Sequence, residues 1–126
     1  MGFPSNLKYT SQHEWILLEG NVGKIGITEF AQSELGDVVF VELAAIGKKV
    51  RAGESLGTIE AVKTVAELYS PVSGEIIALN EKVNTTPEIV NRDPYGDGWI
   101  VQLQLADVKE VESLMDADAY KKLVGQ

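Results

Sequence analysis

Thr58 to Ile76 reads TIEAVKTVAELYSPVSGEI. Apolar and polar residues alternate on both sides of Ala61–Thr64, and Ser70-Pro71-Val72-Ser73-Gly74 supplies turn chemistry behind the second run. The stretch reads as a β-hairpin with one lysine, Lys63, at its tip. Its flanks resemble each other: Val41–Leu56 (VELAAIGKKVRAGESL) lies over Gly74–Ile89 (GEIIALNEKVNTTPEI) without a gap, at an offset of 33 residues. The overlay pairs Leu43 with Ile76, Ala45 with Ala78, Ile46 with Leu79, Val50 with Val83 and Leu56 with Ile89, so the apolar positions coincide. A stack of repeats needs roughly three copies to cover its faces. Two copies argue instead for a closed pair about an approximate two-fold axis, and the midpoint between them falls at residue 65. Lys63 therefore marks the turn between the two halves.

The rest of the chain agrees with a mainly β fold. Short runs such as EWILLEG, NVGKIGIT, DVVFVEL and GWIVQLQL are rich in Val, Ile and Leu and are punctuated by Gly, Pro and Asn. Two places break the pattern. Thr28 reads as the N-cap of a short helix over residues 28–35, with Phe30, Ala31 and Leu35 at helical spacing and Gly36 ending it. A C-terminal helical segment is expected at about 107–124, with Val108, Val111, Leu114 and Met115 on one face, Lys121 and Lys122 in the last turn, and a break near Asp116. The Asp93–Trp99 segment, DPYGDGW, reads as a tight loop in which Gly96 and Gly98 supply left-handed backbone angles. All 126 residues are expected to form a single domain.

Composition narrows the chemistry. The chain has no cysteine and a single histidine, His13, which removes disulfides, thiolate metal sites, cysteine nucleophiles and most histidine-based hydrolysis; no metal site is expected. A formal charge of −8 repels phosphate backbones and anionic membranes, and no apolar run reaches the roughly 18 residues of a membrane span. Neither nucleic acid nor membrane is an expected partner. The N-terminal residues lack signal- or transit-peptide composition, and Asn6 stands where a myristoylation signal needs Ser or Thr. The cytoplasm is the expected location, with the mitochondrial matrix as the alternative for a mature form. His13 reads as a hydrogen-bonded structural residue beside Trp15, and Trp15 and Trp99 as packing residues.

A two-copy flattened β barrel with a lysine at the hairpin between the copies resembles the lipoyl and biotinyl carrier domains. The chain is similar to the glycine cleavage H-protein family over nearly its whole length, through LKYTSQHEW, GIT, LGDVVFVEL, IEAVKTVAELYSPVSGEI, DPYGDGW and LMDADAY in family order. Biotin carriers usually place methionine on both sides of the modified lysine, whereas Val62 and Thr64 stand here. The resemblance implies a barrel-sandwich hybrid with lipoic acid joined to Lys63 by an amide bond. Sulfur chemistry would then come with the cofactor, in a chain that has no thiol of its own.

The resemblance further implies a carrier rather than an enzyme. Its arm would take the aminomethyl group of glycine from a pyridoxal-phosphate glycine decarboxylase to a folate-dependent aminomethyltransferase, and dihydrolipoamide dehydrogenase would reoxidise it. A lipoyl-attaching enzyme is the fourth partner, and the chain is expected to be a monomer. Glu14 and Glu67 stand at family positions that could face a cleft for the cationic amine, where a carboxylate is the natural counter-charge. Glu54, Glu60, Glu67 and Glu75 are candidates for steering onto basic partner surfaces. Two other readings remain open at this level: an octanoyl or lipoyl relay protein, and an unmodified β binding module.

Overall fold

The structure is a computed structural model and describes residues 2–126. Nine strands run in chain order as β1 (Lys8–Tyr9), β2 (Glu14–Glu19), β3 (Val22–Ile27), β4 (Val38–Leu43), β5 (Lys49–Val50), β6 (Ser55–Ala61), β7 (Val65–Tyr69), β8 (Gly74–Leu79) and β9 (Val101–Leu105). They form a six-stranded sheet, ordered β1-β2-β3-β9-β8-β5, and a three-stranded sheet, ordered β4-β6-β7, with every pairing antiparallel. The result is the mainly β, flattened barrel-like sandwich that the hairpin and its flanks predict.

Strand β9, VQLQL, shows the cause locally. Val101, Leu103 and Leu105 are buried while Gln102 and Gln104 are not, which is the period-two pattern of a strand with one face on the core. Ile16, Ile25, Ile59, Leu68, Ile76 and Leu103 join that core from both sheets. Each such side chain contributes about 1.5–3 kcal/mol by leaving water. A second cluster, Leu7, Tyr9, Trp15 and Tyr120, sits under the N- and C-terminal segments.

The two copies of the repeat diverge in structure. Val50 and Val83 are both buried, but Val50 lies on β5 whereas Val83 lies on a helix, α2 (Glu81–Thr85). Asn80 causes the difference. Its side chain accepts from the Lys82 N–H as an N-cap and donates to the carbonyls of Asp97 and Trp99, so the chain coils where its counterpart extends. The copies also bond to each other: β5 pairs with β8, and the N–H groups of Gly47 and Ile76 donate to Ile76 and Lys48 carbonyls.

The remaining helices are α1 (Glu29–Leu35), α3 (Ile89–Arg92) and α4 (Ala117–Leu123), with a 3-10 stretch at Val108–Ser113. Thr28 caps α1 as read from the sequence, accepting from the Ala31 N–H at 3.1 Å, and Asp116 breaks the C-terminal segment by capping α4 through Ala119. Val111 is buried, but Val108 is 41% exposed and does not share its face. The reading of Gly96 and Gly98 is corrected: neither has a positive φ. Gly98 is required for space, since a Cβ would lie 2.6 Å from the Asp93 carbonyl oxygen and 2.7 Å from that of Ile89, whereas at Gly96 a Cβ would meet the exposed Asp93 side chain, 2.5 Å away at Oδ2.

Candidate functional site: a lysine hairpin beside an acidic cleft

Strands β6 and β7 pair from Ser55–Tyr69 to Glu60–Val65, and the Ala61 N–H closes the turn on the Thr64 carbonyl at 2.9 Å. Lys63 is exposed at this tip, with Val62 and Val65 exposed beside it. The tip is nevertheless held. The Val62 N–H donates to the Asp37 carbonyl at 2.9 Å and the Lys63 N–H to the Leu35 carbonyl at 3.3 Å, so the C-terminal end of α1 anchors the hairpin. Gly36 permits this contact. Its φ of 80° and ψ of −163° belong to a region that is essentially glycine's alone, and a Cβ there would lie 3.4 Å from the lysine stem.

Beside the hairpin lies a cleft of about 140 Å³, lined by Gln12, His13, Glu14, Ile27, Ala31, Glu34, Leu35, Ile59, Ala66 and Glu67. Glu14 and Glu67 both line this cleft. Leu35 belongs both to this wall and to the anchor of Lys63.

The two carboxylates differ in environment. Glu14 is 2% exposed; it accepts from Thr10 Oγ1 at 2.5 Å and from the Tyr69 N–H at 3.2 Å. Burial outweighs both hydrogen bonds and pushes its carboxyl up to about 7 from an ordinary 4.5. Glu67 is exposed and accepts from Ser55 Oγ at 2.5 Å.

A third carboxylate, Glu34, lines the same cleft. The sequence reading missed it, although the signal was available. A helix from Glu29 puts residues 31, 34 and 35 on one face by i, i+3, i+4 spacing, and those are the α1 residues in the wall. No lysine or arginine lines the cleft, and the only salt bridge among the described residues joins Lys82 to Asp97, both largely exposed. The cleft is therefore an anionic pocket without a cation of its own. No group of side chains suited to a metal ion occurs among the described residues.

His13 also lines the cleft. It takes a φ of 70°, its Nδ1 lies 2.8 Å from the Tyr120 hydroxyl, and its ring packs 4.9 Å from that of Phe30. Trp15 is fully buried, and its Nε1–H donates to the carbonyls of Ile27 and Pro94. These contacts make His13 hydrogen-bonded and Trp15 a packing residue.

The sequence model of the family described as Glycine cleavage H-protein matches residues 7–126. The chain belongs to the glycine cleavage H-protein family. Relatives named glycine cleavage system H protein include one from Bacteroides thetaiotaomicron, 51% identical over 124 residues with 98% of each chain covered. Another, from Anoxybacillus flavithermus, is 48% identical over 126 residues, covering 100% of this chain and 99% of the relative. The crystal structure of a glycine cleavage system H protein from Mycobacterium marinum superposes with a TM-score of 0.90 at 38% identity, covering 98% and 99% of the two chains. As a member of the H-protein family the chain is a carrier component of the glycine cleavage system and not itself a catalyst. No helix among the described residues is long and apolar enough to cross a membrane.

Proposed function

We propose that the whole chain is one carrier domain, that lipoate is attached to Lys63, and that the loaded arm carries an aminomethyl group. In this reading the group travels from glycine decarboxylase to the aminomethyltransferase, and dihydrolipoamide dehydrogenase restores the disulfide. The observation that carries the reading is the pairing of an exposed, backbone-anchored lysine tip with a cleft holding three carboxylates and no cation. Lipoate, when bound, would supply a disulfide that takes the cargo on one sulfur as the S–S bond is reduced, and would be left as the dithiol once the cargo is released. Bacterial relatives support a cytoplasmic setting.

The chain's own residues supply presentation and protection. The bonds from Val62 and Lys63 to the end of α1 fix the base of the arm, so its reach is set by the lysine stem and what is attached to it. A cationic amine entering the cleft meets Glu14, Glu34 and Glu67. Attraction between the ammonium and a buried carboxylate is strong because little water screens it, and Ile27, Leu35 and Ile59 limit the water that could attack the carbon–sulfur linkage. Glu14 meets the ammonium best as the anion, so a bound cation draws its pKa back down and releases a proton.

The test is mass spectrometry of protein made with a lipoate-attaching enzyme, beside Lys63→Arg. A lipoyl increment confined to the Lys63 peptide and lost in the variant is expected. An unmodified chain under conditions that acylate a known lipoyl domain would overturn the reading, and a biotin increment would replace the cofactor.

A further inference from the structure

One hydroxyl joins three parts of the fold at the cleft wall. Tyr120 of α4 is fully buried, with its ring stacked on Tyr9 at 4.7 Å and 8°. Its oxygen lies 2.8 Å from His13 Nδ1 and 2.7 Å from Thr28 Oγ1. His13 lines the cleft in a left-handed conformation that only this non-glycine residue adopts among those described. Thr28 is the N-cap of α1, whose Ala31, Glu34 and Leu35 line the same cleft and whose last carbonyl, that of Leu35, accepts from the Lys63 N–H.

We infer that Tyr120 is a positioning residue for the arm and its cargo: its hydroxyl locks the His13 wall to the cap of α1, so the C-terminal helix sets the shape of the cleft. This rests on the cleft being the cargo site. The distances are compatible with a directed chain. Thr28 Oγ1 accepts from the Ala31 N–H; if it donates to the Tyr120 oxygen, Tyr120 is free to donate to His13 Nδ1, with the ring proton then on Nε2. Burial keeps both groups neutral, lowering the pKa of His13 against the opposing pull of the Glu34 carboxylate and pushing the Tyr120 hydroxyl up to about 12. Ring stacking and burial keep α4 docked without the hydroxyl, so positioning and folding are separable.

The experiment compares the native chain with Tyr120→Phe and Tyr9→Phe. Tyr9 belongs to the same aromatic cluster, but its hydroxyl donates to the Pro4 carbonyl and faces no part of the cleft. Because the chain has a single histidine, its ring nitrogens can be read by 15N NMR in the unmodified protein. Tyr120→Phe is expected to shift the His13 Nδ1 signal and mix the tautomers, and in lipoylated, aminomethyl-loaded protein to speed cargo loss about three- to tenfold. Tyr9→Phe should match the native chain in both readouts. His13→Gly, which adopts the left-handed angle freely, should also lose cargo faster and covers the case in which Tyr120→Phe does not fold.

An unchanged His13 spectrum and cargo lifetime in Tyr120→Phe, or equal acceleration by Tyr9→Phe, would overturn the inference while leaving the carrier reading intact. Native protein that loses cargo as fast as aminomethylated dihydrolipoamide free in solution would overturn the cleft reading itself, and this inference with it.

Discussion

Glu14 concentrates the chemistry of the cleft in one residue. Its pKa is raised on folding, so between 4.5 and about 7 the folded chain holds a proton that the unfolded chain has lost. Stability contributed by the protonated form is therefore present at low pH and is lost as pH rises through 7. Glu14→Gln should make the unmodified protein more stable at pH 8, by about 3 kcal/mol at most, with the difference closing below the ordinary carboxylate range; denaturant melts at both pH values check this. The same change should speed cargo loss from loaded protein at pH 8. In the native chain, protection relative to free aminomethylated dihydrolipoamide should weaken as pH falls through the pKa of Glu14 in the loaded protein, which the ammonium holds below 7, because the neutral carboxyl no longer attracts the ammonium. Glu14→Gln should flatten that dependence, and an unchanged release rate would remove Glu14 from the site.

At the scale of elements, the decisive contact is between the end of α1 and the β6–β7 turn. Gly36→Ala places a Cβ in a backbone region closed to alanine and against the Lys63 stem. It should cost about 1–3 kcal/mol and slow acylation of Lys63, measured by thermal melting and by the initial rate of lipoate incorporation. How far such elements can be read from sequence depends on how local their causes are. Thr28, Gly36 and Asp116 act within a few residues, so the limits of α1 and the break before α4 were legible. Helix α2 was not, because the repeat predicts a strand-like counterpart and the Asn80 side chain is recruited by carbonyls 17 and 19 residues away. The cleft shows the same division. Lys63 is legible from its place between the copies, whereas the Tyr69 N–H that meets Glu14 is 55 residues distant and leaves no local trace.

For the whole molecule, the charge of −8 surrounds an exposed tip that carries four large apolar side chains near it, Val39, Phe40, Val62 and Val65. Phe40 and Val65 both lie opposite Glu60 on β6, which places acid between apolar neighbours on one outer face. Electrostatic steering should raise association rates with a basic partner surface and fade as the screening length shrinks. Turnover with the decarboxylase at subsaturating carrier should fall several-fold between about 0.05 and 0.5 M salt. A flat response would leave Glu54, Glu60, Glu67 and Glu75 with no role in docking.

The three-stranded sheet has two outer strands, β4 and β7, and unprotected strand edges invite neighbouring molecules to add a strand of their own. Each is spoiled as a template. A register shift between Val38 and Phe40 bends β4, and the Asn91 side chain accepts from the Val38 N–H. On β7 the Tyr69 N–H is taken by Glu14, and exposed Glu67 sets a charge in the middle of only five residues. Glu14 and Glu67 therefore occupy the outer edge of β7 as well as the cleft, so removing both to test cargo binding should also leave that edge more open to pairing with a neighbouring molecule.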